Sequence, residues 1–190
     1  MKTIGILALQ GAFIEHEHML EKLGASCIEI RNLKDLDQPI DGLVLPGGES
    51  TVQGKLLREE GLFQPLKEKI EAGLPVLATC AGMILLAQHL ENDEHTYFAT
   101  LPVTVRRNAY GRQLGSFITT APIQGIGDMQ MNFIRAPYIS KADPSVHILA
   151  TVKNHIVAVR YENQIALSFH PEVGNDDRIH KMFLAMVSEK

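Results

Sequence analysis

Short apolar runs alternate with amphipathic helical stretches through the first half of this chain, and that alternation leaves few architectures open. Thr3 to Leu9 reads as a buried strand, and Phe13 to Leu23 as a helix with Met19, Leu20 and Leu23 at core spacing and Gly24 as its stop. Ser26 to Ile30 and Gly42 to Leu45 are the next strands, the latter ending at Pro46-Gly47-Gly48. Helical pattern covers Thr51 to Ala72, interrupted near Gly61 and Pro65; Leu74 to Thr79 is a strand and Met83 to Leu90 a helix. Strands and helices in this order, joined by short linkers, form a mainly parallel sheet covered on both faces. The second half differs. Pro102 to Arg107, Gly115 to Ile123, Asn132 to Ala136, His147 to Val152, Ile156 to Tyr161 and Gln164 to Phe169 are strand-like. Turn signals at Gly125-Ile126-Gly127-Asp128 and Glu162-Asn163-Gln164 imply antiparallel pairing. A last helix runs from about Asp176 to Ser188, with Ile179, Met182, Phe183, Ala185 and Met186 as its core face. The expected fold is α/β in three layers: a mainly parallel central sheet flanked by helices, with additional antiparallel strands.

Composition narrows the function classes. The 190 residues, 45% hydrophobic, suffice for one good core, and residues 1–190 are read as a single domain. A net charge of −4 with scattered basic residues argues against nucleic-acid and membrane-surface binding. No apolar stretch approaches the roughly 20 residues a bilayer span needs, and Met1-Lys2-Thr3-Ile4-Gly5 leads directly into a strand-like run rather than a secretory signal. Cys27 and Cys80 could pair in principle, but they lie in separate strand-like segments without the cysteine density of an exported scaffold. A reduced, cytoplasmic protein is expected.

Cys80 ends the run Pro75-Val76-Leu77-Ala78-Thr79, and an apolar helical pattern starts at once with Ala81-Gly82-Met83. So abrupt a strand-to-helix turn exposes the side chain at the carboxyl edge of a sheet, as in a nucleophile elbow with cysteine replacing serine. A helix N-terminus favours thiolate, the nucleophilic form. Cys80 alone reads equally as a buried core thiol. Within Ser168-Phe169-His170-Pro171-Glu172, extended geometry would put His170 and Glu172 on one face, a base and the carboxylate that orients it. The turn Leu45-Pro46-Gly47-Gly48-Glu49-Ser50-Thr51 lacks the lysine and spacing of a phosphate loop. It reads either as a glycine turn with Ser50 capping a helix or as one side of an oxyanion hole. In the second case the backbone N–H groups of Gly48 and Ala81 are the donors.

The order Pro-Gly-Gly-Glu-Ser, Thr-Cys-Ala-Gly, Ser-Phe-His-Pro-Glu resembles the class I (triad) glutamine amidotransferases. Ile6-Leu7-Ala8-Leu9-Gln10-Gly11-Ala12, Arg107-Asn108-Ala109-Tyr110-Gly111-Arg112-Gln113 and Phe133-Ile134-Arg135-Ala136-Pro137 are similar, within that class, to the glutaminase subunits of two-component pyridoxal 5'-phosphate synthases. The resemblance spans Ile4 to the last helix. It departs from the usual pattern at Ala78, where the class often has glycine. It implies a flavodoxin-like fold, with Cys80 as nucleophile, His170 as base and then acid, and Glu172 as orienter. Glutamine would contact Gly47, Gly48, Glu49, Arg107, Ile134 and Arg135, an arginine fork suiting its α-carboxylate. No cofactor or metal is implied. Free ammonia would be lost to solution, so the resemblance also implies a separate (β/α)8-barrel synthase subunit, assembled as twelve glutaminases on a dodecameric synthase. Poor activity before docking would follow if the partner completes the oxyanion hole, with the Gln10-Gly11-Ala12 turn as a relay. A glutaminase serving another pathway and a non-enzymatic thiol sensor are the alternatives; a sensor needs neither the His-x-Glu pair nor the glycine turn.

Other features carry less. Glu15-His16-Glu17-His18 suggests a metal cluster, but alternate helix residues diverge, so the segment reads as a solvated helix face. Tyr97, Phe98 and Tyr110 are too scattered for a base-stacking platform.

Overall fold

In a computed structural model, which describes residues 1–91, 93–107 and 116–189, the apolar runs of the first half become parallel strands. β1 (Thr3–Leu7) lies between β2 (Ser26–Ile30) and β3 (Gly42–Leu45), and β3 pairs in parallel with β4 (Val76–Thr79). β5 (Ala87–Leu90), β6 (Leu101–Arg106), β9 (Tyr138–Ala142), β10 (His147–Val152), β11 (His155–Tyr161) and β12 (Gln164–Leu167) complete a ten-stranded sheet of order β2-β1-β3-β4-β12-β11-β9-β6-β5, with β10 on β11. β12 pairs in parallel with β4; the β11–β12, β9–β11, β6–β9 and β10–β11 pairs are antiparallel. A separate hairpin joins β7 (Ser116–Ile123) to β8 (Gly127–Ile134).

The two-residue period of the central strands divides the core. Leu43, Leu45, Val76, Ala78 and Ala166 face one cluster, under α2 (Ser50–Glu59), α3 (Phe63–Glu71) and α4 (Ala81–Leu86). Ile4, Ile6, Val44, Leu77, Ile165 and Leu167 face the other, under α1 (Phe13–Lys22), α5 (Arg178–Ser188) and the β7–β8 hairpin. This is the expected three-layer fold.

Several boundaries move. The helix expected from Met83 to Leu90 ends at Leu86, and Ala87–Leu90 pairs with β6 as β5. α4 is buried all round and carries no amphipathic period, so its apolar run gave no local stop signal. Tyr138–Ala142, behind Pro137, forms a strand that its polar Ser140 and Lys141 concealed. The Thr51-to-Ala72 pattern breaks around Gly61, at φ +69°. Pro65 instead lies in the first turn of α3, where a missing N–H costs no helical hydrogen bond. Gly115 and the Asn108–Gln113 part of the motif after Arg107 lie outside the described residues. Both cysteines are free thiols. Among the described residues no helix is long and apolar enough to cross a membrane.

Candidate active site

Cys80 follows β4 directly and caps α4 with φ 52° and ψ −105°, a conformation that side chains with a Cβ rarely adopt. Its N–H donates to the Leu167 carbonyl at 2.8 Å, tying the elbow to the end of β12. A Cβ at Gly82 would run into the Leu45 carbonyl oxygen, so glycine is what lets α4 begin flush against β3. The parallel register Leu167↔Thr79 brings Cys80 and the segment after β12 to one edge of the sheet.

His170 sits in that segment, its N–H donating to the Asn132 carbonyl of β8 at 2.9 Å and its ring lying over the Gly47 backbone. Its Nδ1 is 2.5 Å from Glu172 Oε1. The pair meets through a turn at Pro171-Glu172, not through the extended backbone expected from the sequence. Burial would lower the His170 pKa, but hydrogen bonding to Cys80 and to Glu172, with the charge of both, raises it to about 10. With Nδ1 committed to Glu172, Nε2 is the ring nitrogen left for the thiol. Burial pushes the Glu172 carboxyl up, but the neighbouring His16 and the His170 hydrogen bond outweigh it, so the net shift is down.

These groups open into a cavity of about 790 Å³. Of the residues expected at a site, Gln10, Gly47, Gly48, Glu49, Cys80, Ala81, Arg107, Ile134, Arg135 and His170 line it; Glu172 lies behind His170. The Ala81 N–H opens α4 and has no carbonyl of its own helix to meet. The Gly47 carbonyl accepts from Ala12 N–H at 3.1 Å, and Gln10 Oε1 accepts from Glu49 N–H at 2.8 Å. A Cβ at Gly48 would strike that Gln10 oxygen. The glycine turn is thus stitched to the β1–α1 turn. Ser50 lies inside α2 and its side chain does not cap it.

The two arginines differ. Arg107 is half-buried, with Nη2 donating to the Tyr97 hydroxyl at 3.1 Å and Nη1 3.4 Å from Asp93 Oδ2; its buried Nε has no hydrogen-bond partner among the described residues. Arg135, at φ 45° in the turn after β8, makes no ion pair among the described residues. Sequence reasoning missed two contributors. Gln53 is fully buried, its Nε2 donating to the Gln10 and Pro46 carbonyls at 3.1 and 3.2 Å. His16, expected on a solvated face, is also fully buried. The divergence of alternate helix positions that excludes a Glu15–His18 metal cluster is what turns His16 inward, while Glu15 and His18 stay exposed. Its i, i+4 relation to the buried Leu20 was the available signal.

A model of the SNO glutamine amidotransferase family matches residues 6–189. The chain belongs to the SNO glutamine amidotransferase family. A relative named "Pyridoxal 5'-phosphate synthase subunit PdxT", from Desulfitobacterium hafniense (strain Y51), is 63% identical over 186 residues, covering 98% of this chain and 94% of that protein. A relative of the same name from Haemophilus influenzae (strain PittEE) is 53% identical, covering 95% and 96%. The crystal structure of a glutamine amidotransferase matches with TM-score 0.92 at 38% identity, over 97% of this SNO-family chain and 98% of its own. The structure of PurLQS from Thermotoga maritima matches with TM-score 0.67 at 16% identity, over 100% and 99% of the two chains, and speaks to the fold alone.

Proposed function

We propose that this SNO-family chain is a glutaminase that hydrolyses L-glutamine to glutamate and ammonia, and that the ammonia serves a pyridoxal 5'-phosphate synthase. The observation that carries the chemistry is the short His170–Glu172 contact beside an elbow cysteine at the mouth of a cavity. The name borne by the relatives supports the destination of the product.

In this reading the Cys80 thiolate attacks the side-chain amide carbon of glutamine, and the carbonyl electron pair moves onto oxygen, held by the Gly48 and Ala81 amides. His170, protonated and braced by Glu172, gives its Nε2 proton to the departing nitrogen, which leaves as ammonia. The neutral imidazole then takes a proton from water, whose oxygen attacks the thioester carbon and releases glutamate and the thiol. Arg135 and Arg107 suit the α-carboxylate of glutamine, and Gly47, Glu49 and Ile134 complete its walls. Gln10, holding the Glu49 amide, links the β1–α1 turn to the oxyanion side.

Ammonia protonates and diffuses away in water, so the product needs a receiving subunit. A (β/α)8-barrel synthase carrying twelve glutaminases on a dodecamer, in the cytoplasm, is the assembly we propose, with residues 1–190 acting as one glutaminase domain. The test measures glutamate release with and without purified pyridoxal 5'-phosphate synthase barrel subunit. Wild type should turn over glutamine in the complex, and Cys80→Ala should lose at least about 10³-fold. Full activity of Cys80→Ala in the complex would remove the covalent mechanism. Equal wild-type rates with and without the barrel subunit would count against that partner.

A further inference from the structure

Behind Glu172, on the side away from His170, lie two fully buried histidines that the chemistry above does not use. His16, from α1, has Nε2 3.4 Å from Glu172 Oε2 and 3.2 Å from Thr79 Oγ1. Its Nδ1 is 2.9 Å from Nε2 of His180, on α5. Among the described residues neither Glu172 Oε2 nor His180 Nδ1 has a hydrogen-bond partner, and His16 Nε2 is the nearest recorded nitrogen to that oxygen. We propose that His16 is a positioning residue whose Nε2–H holds the second oxygen of Glu172, and that His180 fixes the tautomer allowing it.

Glu172 is ionised when it braces His170, and an ionised carboxylate only accepts. Oε1 takes the His170 Nδ1–H; Oε2, fully buried, needs a donor of its own. Neutral imidazole has one N–H. If His16 carries it on Nε2, the proton lies between Thr79 Oγ1 and Glu172 Oε2, and the charged acceptor attracts it more strongly. His16 Nδ1 is then an acceptor, which His180 fills with its Nε2–H, leaving a bare lone pair on His180 Nδ1 and the Thr79 hydroxyl proton, both on neutral groups, as the unmet positions among the described residues. The opposite tautomer leaves the carboxylate oxygen without a donor, a costlier defect. Burial holds both imidazoles neutral: His16 is lowered, and His180 is lowered to about 3. The titratable groups facing this pair are Glu172 and His170 from the segment after β12, Asp177 at the start of α5, and Glu15 on α1 itself. The site thus runs Cys80, His170, Glu172, His16, His180, drawn from four parts of the fold.

This inference rests on reading Cys80, His170 and Glu172 as the reacting groups. Its test compares His16→Leu, which removes the donor, with His16→Gln, whose amide nitrogen can replace Nε2. Glutaminase rates are read in the complex with the barrel subunit, and Cys80 alkylation by iodoacetamide on the chain alone, both against pH. His16→Leu should lower kcat about 10- to 100-fold, the range expected when a hydrogen bond to a charged group is removed. Its acid limb should move up by about one pH unit, since the Glu172 carboxylate loses a charge-assisted hydrogen bond. His16→Gln should restore most of both. An unmoved acid limb in His16→Leu, or equal damage from the two variants, overturns the proposal as mere packing. Should wild type release no ammonia, the functional reading falls, while the alkylation profile still decides this one. If His16→Leu does not fold, ¹⁵N shifts of histidine-labelled wild type decide: the Nε2–H tautomer of His16 supports the relay and the Nδ1–H tautomer overturns it.

Discussion

At φ 52° and ψ −105°, Cys80 holds its side chain in a backbone region that glycine enters freely and cysteine does not. The strain is sustained by neighbours: the Leu167 carbonyl on the Cys80 N–H, and the close seat of Gly82 on β3. Turning the side chain into the cavity at the sheet edge is what the strain achieves. Cys80→Ala keeps the Cβ and the strain, whereas Cys80→Gly removes both. Cys80→Gly is therefore expected to be the more stable of two inactive variants, by about 1 kcal/mol after the extra unfolded-state entropy of glycine is offset. Urea unfolding of the pair checks this, and equal midpoints would mean the elbow is not strained. Residue identity at the site was largely legible in the sequence, because Cys80, His170 and the Gly47-Gly48 turn each close an apolar strand. His16 was not legible. Its neighbours Glu15, Glu17 and His18 give the segment a solvated character, and only the partner across the sheet edge, Glu172, explains a histidine at a core position.

At the scale of elements, the site depends on how closely α4 approaches β3. α4 has six residues, all buried, and too few to be stable as a helix alone; its position comes from packing. Gly82 is the contact point, where a Cβ would meet backbone rather than a flexible side chain. Gly82→Ala should push the helix start outward, moving Cys80 and the Ala81 amide together. The expected cost is about 1–3 kcal/mol, typical of overpacking, with kcat reduced more than KM is raised. Thermal unfolding and glutaminase kinetics on the same preparation would check it; a variant with unchanged kcat would show that the elbow tolerates the shift. The sequence marked the turn through its small residues but not the helix end, since the apolar run into β5 has no punctuation. Pro65 misled in the opposite sense. It looked like a breaker, and it lies in the first turn of a helix.

On the scale of the whole molecule, the parallel half was legible because its strands are continuous apolar runs joined by short connections. The insertion of β12 beside β4, which carries His170 to Cys80, was not: no local signal tells a strand which distant strand it will join. That closure brings α1 and α5 together, so their buried histidines tie global stability to pH. His180 has a folded pKa near 3 against 6.5 when exposed, and His16 is lowered as well. Between those values the unfolded chain binds protons that the folded chain refuses, so stability is present above pH 6.5 and lost as the pH falls. His170 has the opposite sign. Its folded pKa of about 10 lies above the unfolded value, so its contribution is complete below pH 6.5 and adds no slope there; it is lost only as the pH rises towards 10. Urea unfolding of wild type between pH 4 and pH 6.5 should therefore show the acid loss, with each refused proton adding about 1.4 kcal/mol per pH unit. His180→Leu should flatten that slope by close to one proton, whatever its effect on stability at neutral pH. Parallel wild-type and His180→Leu curves would mean that His180 is protonated in the folded state, and that the chain of neutral imidazoles behind Glu172 does not exist.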